Sequence, residues 1–117
     1  MLEEKARDLG RLIGQSSEYQ AVKRSTEALN GDREAVTLLQ RMEQIRVEAQ
    51  RMIDRGEQPT EPMERELDEL LANVQRNATY QRAISARENF DKLMLQVDQW
   101  IMGGIEKGAA SPIITLG

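Results

Sequence analysis

Apolar residues recur at steps of three and four along most of the chain, between short runs of glycine, proline and serine. Such steps place side chains on one face of an α-helix, so the pattern predicts an all-α protein. The first predicted helix covers 2–14 and the second covers about 18–29. The apolar face of the first consists of Leu2, Ala6, Leu9 and Ile13.

The limits of the second helix are marked by residues that cap helices. Ser17 and Gln20 fit a capping box, in which each side chain satisfies a free amide of the first turn. Asn30-Gly31 is predicted to end the helix, because these residue types accept the left-handed conformation that closes many helices.

The longest regular pattern follows Asp32, a residue type that caps helix N-termini. The predicted helix runs to about Arg55 and is about 35 Å long at 1.5 Å per residue. It is too long to be wrapped by a compact globule of 117 residues, so we expect an elongated molecule. Its seam consists of Ala35, Leu38, Met42, Ile45, Ala49 and Met52.

The return arm begins after the break at 56–59, with Thr60 as its predicted cap. Asn77 either caps a new helix or interrupts a continuous one. The periodicity then resumes, and Gly103-Gly104 is predicted to stop it. The predicted fold is therefore an elongated antiparallel helical hairpin, with a second arm that is continuous or kinked near Asn77, preceded by two short helices.

The chain is predicted to form one helical domain over 1–102, followed by a glycine-rich C-terminal tail over 103–117. A flexible tail is the first interpretation, because chain termini usually fray. The alternative is that the apolar segment 113–116 adds to a partner as a strand or fills a groove on it.

Composition excludes several kinds of site. The chain has no cysteine and no histidine, which removes the ligands of zinc fingers and iron–sulfur clusters and the base of Ser–His catalysis. We predict no catalytic, cofactor-binding or metal-binding residue. No apolar run approaches the roughly 18 residues that a membrane span needs. Since the first residues also lack the apolar core of a signal peptide, we expect a cytoplasmic protein.

Charge disfavours direct nucleic-acid binding. The 20 acidic residues exceed the 16 basic ones, for a net charge of −4, whereas nucleic-acid binders normally carry a basic excess. Arginines of the long helix alternate with acids, which favours pairing within the helix. Arg51 and Arg55 are expected to face the acids of 57–69 at a solvated hairpin tip.

The seam predicts self-association. A two-helix hairpin cannot bury its own apolar stripe, so we expect the N-terminal helices and a second subunit to cover it, in a homodimer or higher homo-oligomer. The predicted interface residues are Leu38, Leu39, Met42, Ile45, Leu67, Leu70, Phe90, Val97 and Trp100.

Several segments follow one another in a recognisable order: Ala6-x-x-Leu9-Gly10-x-x-Ile13, Ser17-Glu18-Tyr19, and Ala28-Leu29-x-x-Asp32-x-Glu34-Ala35-x-x-Leu38-Leu39. The second half adds 71–77, Tyr80, Ala83, Ala86, Phe90, Leu93 and Val97. Over about residues 3–102, this pattern resembles the YlbF/YmcA family of small helical bacterial proteins.

The resemblance implies a non-enzymatic, all-α regulator that self-associates. In Gram-positive bacteria, some family members act in complexes with one another and a further partner. These complexes influence RNA processing by a membrane-tethered endoribonuclease, and competence, sporulation and biofilm formation depend on them. Some family complexes carry iron–sulfur clusters on cysteines, and this chain has no cysteine with which to hold one.

The resulting hypothesis is a cytoplasmic regulatory adaptor that acts through helix-mediated protein–protein contacts. Its expected partners are paralogous family members or a ribonuclease-associated complex. One alternative is a structural or chaperone-like coiled-coil protein. A second alternative is a direct RNA-binding protein, whose RNA retention would depend on salt.

Overall fold

The computed structural model describes residues 1–110, which form five α-helices. The predicted all-α class is confirmed for this part of the chain. The helices are α1 (Leu2–Gly14), α2 (Ser17–Asn30), α3 (Arg33–Asp54), α4 (Glu61–Gln75) and α5 (Ala78–Ala109).

The helices pack as two antiparallel pairs. α3 and α4 form one pair, which we call the hairpin half, and α2 packs along α5 in the other. Together with α1, that second pair makes the terminal half. The described residues measure 68 × 37 × 20 Å. Since one helix with its side chains is about 10–12 Å across, the smallest dimension corresponds to two helices.

The two halves meet where α2 passes into α3 and α4 passes into α5. Asn77 caps α5 by accepting a hydrogen bond from the Tyr80 amide at 2.9 Å. The return arm is therefore two separate helices, the first paired with α3 and the second with α2. Of the two interpretations of Asn77, the new-helix one is confirmed.

The predicted caps Asp32 and Thr60 are confirmed, because each accepts a hydrogen bond from the amide three residues on. The predicted cap Ser17 is wrong, since Ser16 caps α2 by accepting from the Tyr19 amide. The Ser16 hydroxyl also donates to the Ile13 carbonyl at 2.6 Å. One hydroxyl therefore satisfies a carbonyl at the end of α1 and a free amide at the start of α2. This explains why the cap lies one residue earlier than predicted.

Of the predictions about glycine, the end of α2 at Asn30-Gly31 is confirmed, although Gly31 has a right-handed φ of −87° rather than the left-handed conformation expected there. The prediction that Gly103-Gly104 stops the closing helix is wrong, because α5 continues through these glycines to Ala109. Glycine weakens a helix by about 1 kcal/mol relative to alanine but leaves its hydrogen bonds intact. The separation of a domain over 1–102 from a tail stays a prediction, and 111–117 lies outside the described residues.

The core is small and apolar. Val74 is the largest completely buried side chain, and it lies near the junction of the two halves. The buried apolar residues are Ala35, Ile45, Val74, Ala86 and Val97. Within residues 1–110, no helix carries an apolar stretch long enough to cross a bilayer.

Candidate interaction surfaces

The nine predicted interface residues fall on both halves of the molecule. Six lie on α3 and α4, where Ile45 is buried and the others are half-buried: Leu38, Leu39, Met42, Ile45, Leu67 and Leu70. On α5, Val97 is buried and Phe90 packs edge-on against Tyr19 of α2, with ring centroids 5.6 Å apart. Most of the set therefore contributes to packing within the chain, and its role between chains stays a prediction.

An open apolar groove runs along the hairpin half, which we call the hairpin groove. It is lined on α3 and α4 by Leu39, Met42, Ile45, Ala49, Ile53 and Leu67. Its polar rim includes Arg46, which pairs with Glu43 on the same helix. The predicted seam residues are thus brought together, although no third helix of the described chain covers them.

One ion pair ties α3 to α4. The Arg41 guanidinium donates to both carboxylate oxygens of Glu66, with N–O distances of 2.6 and 2.9 Å. These hydrogen bonds raise the pKa of Arg41 and lower the pKa of Glu66. A bidentate ion pair constrains the relative orientation of the two side chains, so it helps to set the register between α3 and α4.

The expected pairs at the hairpin tip are not formed. Among residues 1–110, neither Arg51 nor Arg55 forms an ion pair with the acids across the tip, and the Arg55 side chain donates to the Arg51 carbonyl instead. On the opposite arm, Arg65 pairs with Glu61 one turn earlier at 3.5 Å. Among residues 1–110, Glu66 is therefore the one acid of 57–69 that pairs across the two arms, and its partner is Arg41 rather than Arg51 or Arg55.

The junction is held by a bond between two helix caps. Asn77, the cap of α5, donates from Nδ2 to Oδ2 of Asp32, the cap of α3, at 3.2 Å. The Ala35 amide, the Thr79 side chain and Asn77 all favour the charged carboxylate and lower the pKa of Asp32. This cap pair joins two positions that are 45 residues apart in sequence.

Exposed apolar side chains also occur on α1 and on the second half of α5, and we call this set the terminal surface. α1 buries no residue, and Leu2 is 85% exposed. On α5, Trp100 is 65% exposed although Val97, one turn earlier, is only 3% exposed. The terminal surface consists of Leu2, Leu12, Leu95, Trp100, Ile101, Met102 and Ile105.

Of this surface, only Trp100 was among the nine predicted interface residues, although Leu2 was placed on the apolar face of the first helix. Ile105 was missed because the closing helix was predicted to stop at Gly103. The signal was present, since Ile101 and Ile105 are four residues apart and continue one helical face.

Across residues 1–110, no three histidine, cysteine or acidic side chains are grouped to hold a metal ion. None of the polar or charged residues in that range is buried.

Comparison with known proteins gives relatives of similar length. A UPF0342 protein from Leuconostoc citreum is 24% identical over 93 residues, which cover 80% of this chain and 79% of that protein. A UPF0342 protein from Limosilactobacillus reuteri is 24% identical over 101 residues, which cover 86% of this chain and 82% of that protein.

The fold also has a counterpart among solved structures. A protein of unknown function (DUF964) from Bacillus stearothermophilus superposes with a TM-score of 0.66 at 22% identity, covering 95% of this chain and 97% of that one. The family model described as control of competence regulator ComK, YlbF/YmcA, matches residues 2–106. The chain therefore belongs to the YlbF/YmcA family, which is a regulatory family.

Proposed function

We propose that this member of the YlbF/YmcA family is a regulatory adaptor that works through contacts between helix faces and catalyses no reaction. The observation that carries the proposal is the amount of apolar helix surface left open, on the hairpin groove and on the terminal surface. Large exposed apolar patches on small proteins mark sites of protein–protein contact. The regulatory description of the family supports the same conclusion.

The proposed setting is the cytoplasm, and the proposed assembly is a homodimer or higher homo-oligomer. Paralogous family members or a ribonuclease-associated complex are the proposed further partners. The nine predicted interface residues keep their place in this proposal, since Leu39, Met42, Ile45 and Leu67 line the hairpin groove.

Direct RNA binding receives less support. Two of the arginines on the long helix are already neutralised, Arg41 by Glu66 and Arg46 by Glu43. Proteins that bind single-stranded nucleic acid usually also have aromatic side chains on which bases stack. The chain has only four aromatic residues, and Phe90 and Tyr19 pack on each other.

The experiment is a pull-down of the tagged chain from its native host, with and without ribonuclease, read by mass spectrometry. We expect one or two partners in stoichiometric amounts, unaffected by RNA digestion. Recovery of the chain alone would contradict the adaptor proposal. A diffuse set of weak clients would instead support the chaperone-like alternative, and partners lost on digestion would support RNA binding.

A matched pair of variants tests the hairpin groove in the same pull-down. Ile53→Glu places a charge in the groove, whereas Ile84→Glu makes the same change at a comparably exposed position on α5. If a partner uses the groove, Ile53→Glu should lose it and Ile84→Glu should retain it. Equal recovery with both variants would exclude the groove as the partner site.

A further inference from the structure

We infer that the hairpin groove binds an amphipathic helix of a partner protein, whose apolar face fills the groove and whose flank beside α4 carries lysine or arginine. This inference rests on the proposed function and names the chemistry of the partner at one of its contact sites. The shape of the groove and the charges along its two rims carry it.

The first observation is the shape of the groove. Its apolar lining on α3 runs from Leu39 to Ile53, which is about 21 Å at 1.5 Å per residue. A trough of this kind between two antiparallel helices accepts a third helix of about four turns. An extended strand would need a sheet edge with which to pair, and residues 1–110 contain no strand. The occupant that fits is therefore a helix with one apolar face.

The second observation is that the α4 rim of the groove is acidic. One face of α4 consists of residues spaced as i, i+3, i+4 and i+7, namely Glu64, Leu67, Asp68 and Leu71. Leu67 lines the groove, and Leu71 continues the apolar surface at 40% exposure. Glu64 and Asp68 therefore lie beside the groove. Within residues 1–110, neither of these acids forms an ion pair.

The bases of the hairpin that could neutralise these two acids lie elsewhere. Glu66 is two positions from each of them, which places it about 160° away around α4. Its partner Arg41 therefore ties α3 to α4 on the other side of the hairpin. Arg51 and Arg55 line a separate depression on α3. The acidic rim consequently offers its charge to a partner.

The α3 rim is neutral, so the two rims differ. Arg46 and Glu43 pair with each other there, and Gln50 carries no charge. A bound helix is therefore stabilised most when its basic flank lies beside α4.

Net charge favours a basic partner over a second copy of the chain. Residues 33–75 contain 10 acidic and 6 basic side chains, so the hairpin half carries a net charge as large as that of the whole chain, −4. A second hairpin half would bring the same negative charge to the contact. Complementary charge speeds association and selects the partner, whereas like charges disfavour it.

The test uses the purified full-length chain and two designed helical peptides of about 18 residues, read by fluorescence anisotropy. One peptide has a leucine face flanked by lysines, and the other has the same leucines flanked by glutamates. We expect the lysine peptide to bind at least about tenfold more tightly at low salt, with a smaller difference at high salt. Equal binding of the two peptides, or binding of neither, would overturn the inference.

A matched pair of charge reversals locates the basic flank. Glu64→Lys and Glu69→Lys change the net charge equally at exposed positions of one helix, but these positions are about 140° apart around it. Glu64→Lys should weaken binding of the lysine peptide by at least about fivefold and strengthen binding of the glutamate peptide. Glu69→Lys should change either affinity by less than about twofold. Equal effects of the two reversals would show that net charge alone is sensed, which contradicts the inference.

Substitutions in the groove test where the apolar face binds. Ile53→Glu should weaken binding of the lysine peptide by at least about tenfold, whereas Ile84→Glu should leave it unchanged.

Fluorescent labelling gives an answer that does not depend on a charged substitution. The chain has no cysteine, so a dye on a single introduced cysteine reports one position. An environment-sensitive dye on Gln50→Cys should shift to shorter wavelength when the lysine peptide binds. The same dye on Ser85→Cys, exposed on α5, should not shift. The opposite pattern of shifts would place the peptide outside the groove and overturn the inference.

Two other occupants of the groove would give different results. If a second copy fills the groove, Ile53→Glu should lower the native mass measured by sedimentation equilibrium. If residues 113–116 of the same chain fill it, Ile114→Glu should tighten binding of the lysine peptide. Either result would overturn the inference.

These measurements separate this inference from the adaptor proposal. If the two peptides bind equally but the pull-down recovers a stoichiometric partner, the adaptor is retained and the basic helix is excluded. If the lysine peptide binds through Glu64 but the host yields no partner, the groove chemistry is retained and the adaptor is contradicted.

Discussion

The hairpin half and the terminal half are built from the same kind of amphipathic helix, but they leave very different amounts of apolar surface open. Within residues 1–110, two of the exposed large apolar residues, Ile53 and Leu71, belong to the hairpin half. The ten others in that range belong to α1, α2, α5 or the residue before α1. The two halves therefore differ in how much of their apolar helix faces other helices of the chain cover, and not in the type of helix.

Helix length explains the difference. In the terminal half, α5 has 32 residues and its partner α2 has 14. In the hairpin half, α3 has 22 residues and α4 has 15. An apolar seam is buried only along the stretch where two helices run side by side, so the larger mismatch leaves the longer seam exposed. The part of α5 that extends beyond α2 therefore keeps its apolar side chains exposed.

The largest expected effect on stability comes from comparing the same isoleucine-to-aspartate substitution in each half. Ile45 is 3% exposed in the hairpin half and Ile105 is 56% exposed on α5. Ile45→Asp should lower the free energy of unfolding by at least about 3 kcal/mol, because it buries a carboxylate without a partner. Ile105→Asp should change it by less than about 0.5 kcal/mol at high dilution.

Thermal unfolding followed by circular dichroism measures both variants. An equal loss of stability from the two variants at high dilution would contradict the contrast between the halves.

A smaller effect on stability is expected from substituting two glycines that each follow a predicted helix. Gly56, after α3, has a φ of +79°, whereas Gly31, at the end of α2, has a φ of −87°. Gly56→Ala should destabilise the hairpin half by about 1 kcal/mol, because an L-residue is strained at positive φ. Gly31→Ala should be tolerated, since its Cβ would lie at an ordinary 3.6 Å from the nearest atom. Urea unfolding of both variants checks the difference, and a stable Gly56→Ala would refute it.

The smallest effect concerns the cap pair between the halves. The pKa of Asp32 is lowered in the folded chain, chiefly by the Ala35 amide. Its contribution to stability is therefore present above its unfolded pKa of about 3.9 and is lost as pH falls through the lower folded pKa.

Asp32→Asn keeps a good helix cap but does not titrate. The Tm of this variant should consequently fall less steeply with acidification than the wild-type Tm. Glu66→Gln is the matched change inside the hairpin half, where the Arg41 contact lowers the pKa of the carboxyl. An unchanged slope for Asp32→Asn would show that the cap pair contributes nothing to acid stability.

Helix starts were predictable where one cap residue adjoined one apolar seam. Asp32 and Thr60 satisfy that condition, and both accept the expected amide hydrogen bond. Ser16 and Ser17 did not, because two adjacent serines can both cap. The choice between them depends on the Ile13 carbonyl, which only the folded turn brings within reach of Ser16.

Helix ends and helix partners were harder to predict. Gly103-Gly104 weakens α5 without ending it, and the apolar residues beyond it continue the same face. Periodicity identified Leu67 and Val97 as apolar-face residues, but it cannot say which helix covers each one. The exposure of Trp100 follows from the start of α2 at Ser17, which is a property of the packed pair rather than of either sequence segment.

The nested arrangement of the two pairs has a consequence for the order of folding. Contacts between the arms grow steadily more distant in sequence away from the hairpin tip. Arg41 and Glu66 are 25 residues apart, and the cap pair of Asp32 and Asn77 is 45 residues apart. Tyr19 and Phe90 are further apart still.

Closing a large loop directly costs more entropy than extending one that is already closed. We therefore expect contacts to form first between α3 and α4 near the hairpin tip, then between Asp32 and Asn77 of the cap pair. The packing of α2 on α5 should follow last. Residues 98–109 come last in this order. Hydrogen exchange should accordingly protect α3 and α4 most and the end of α5 least.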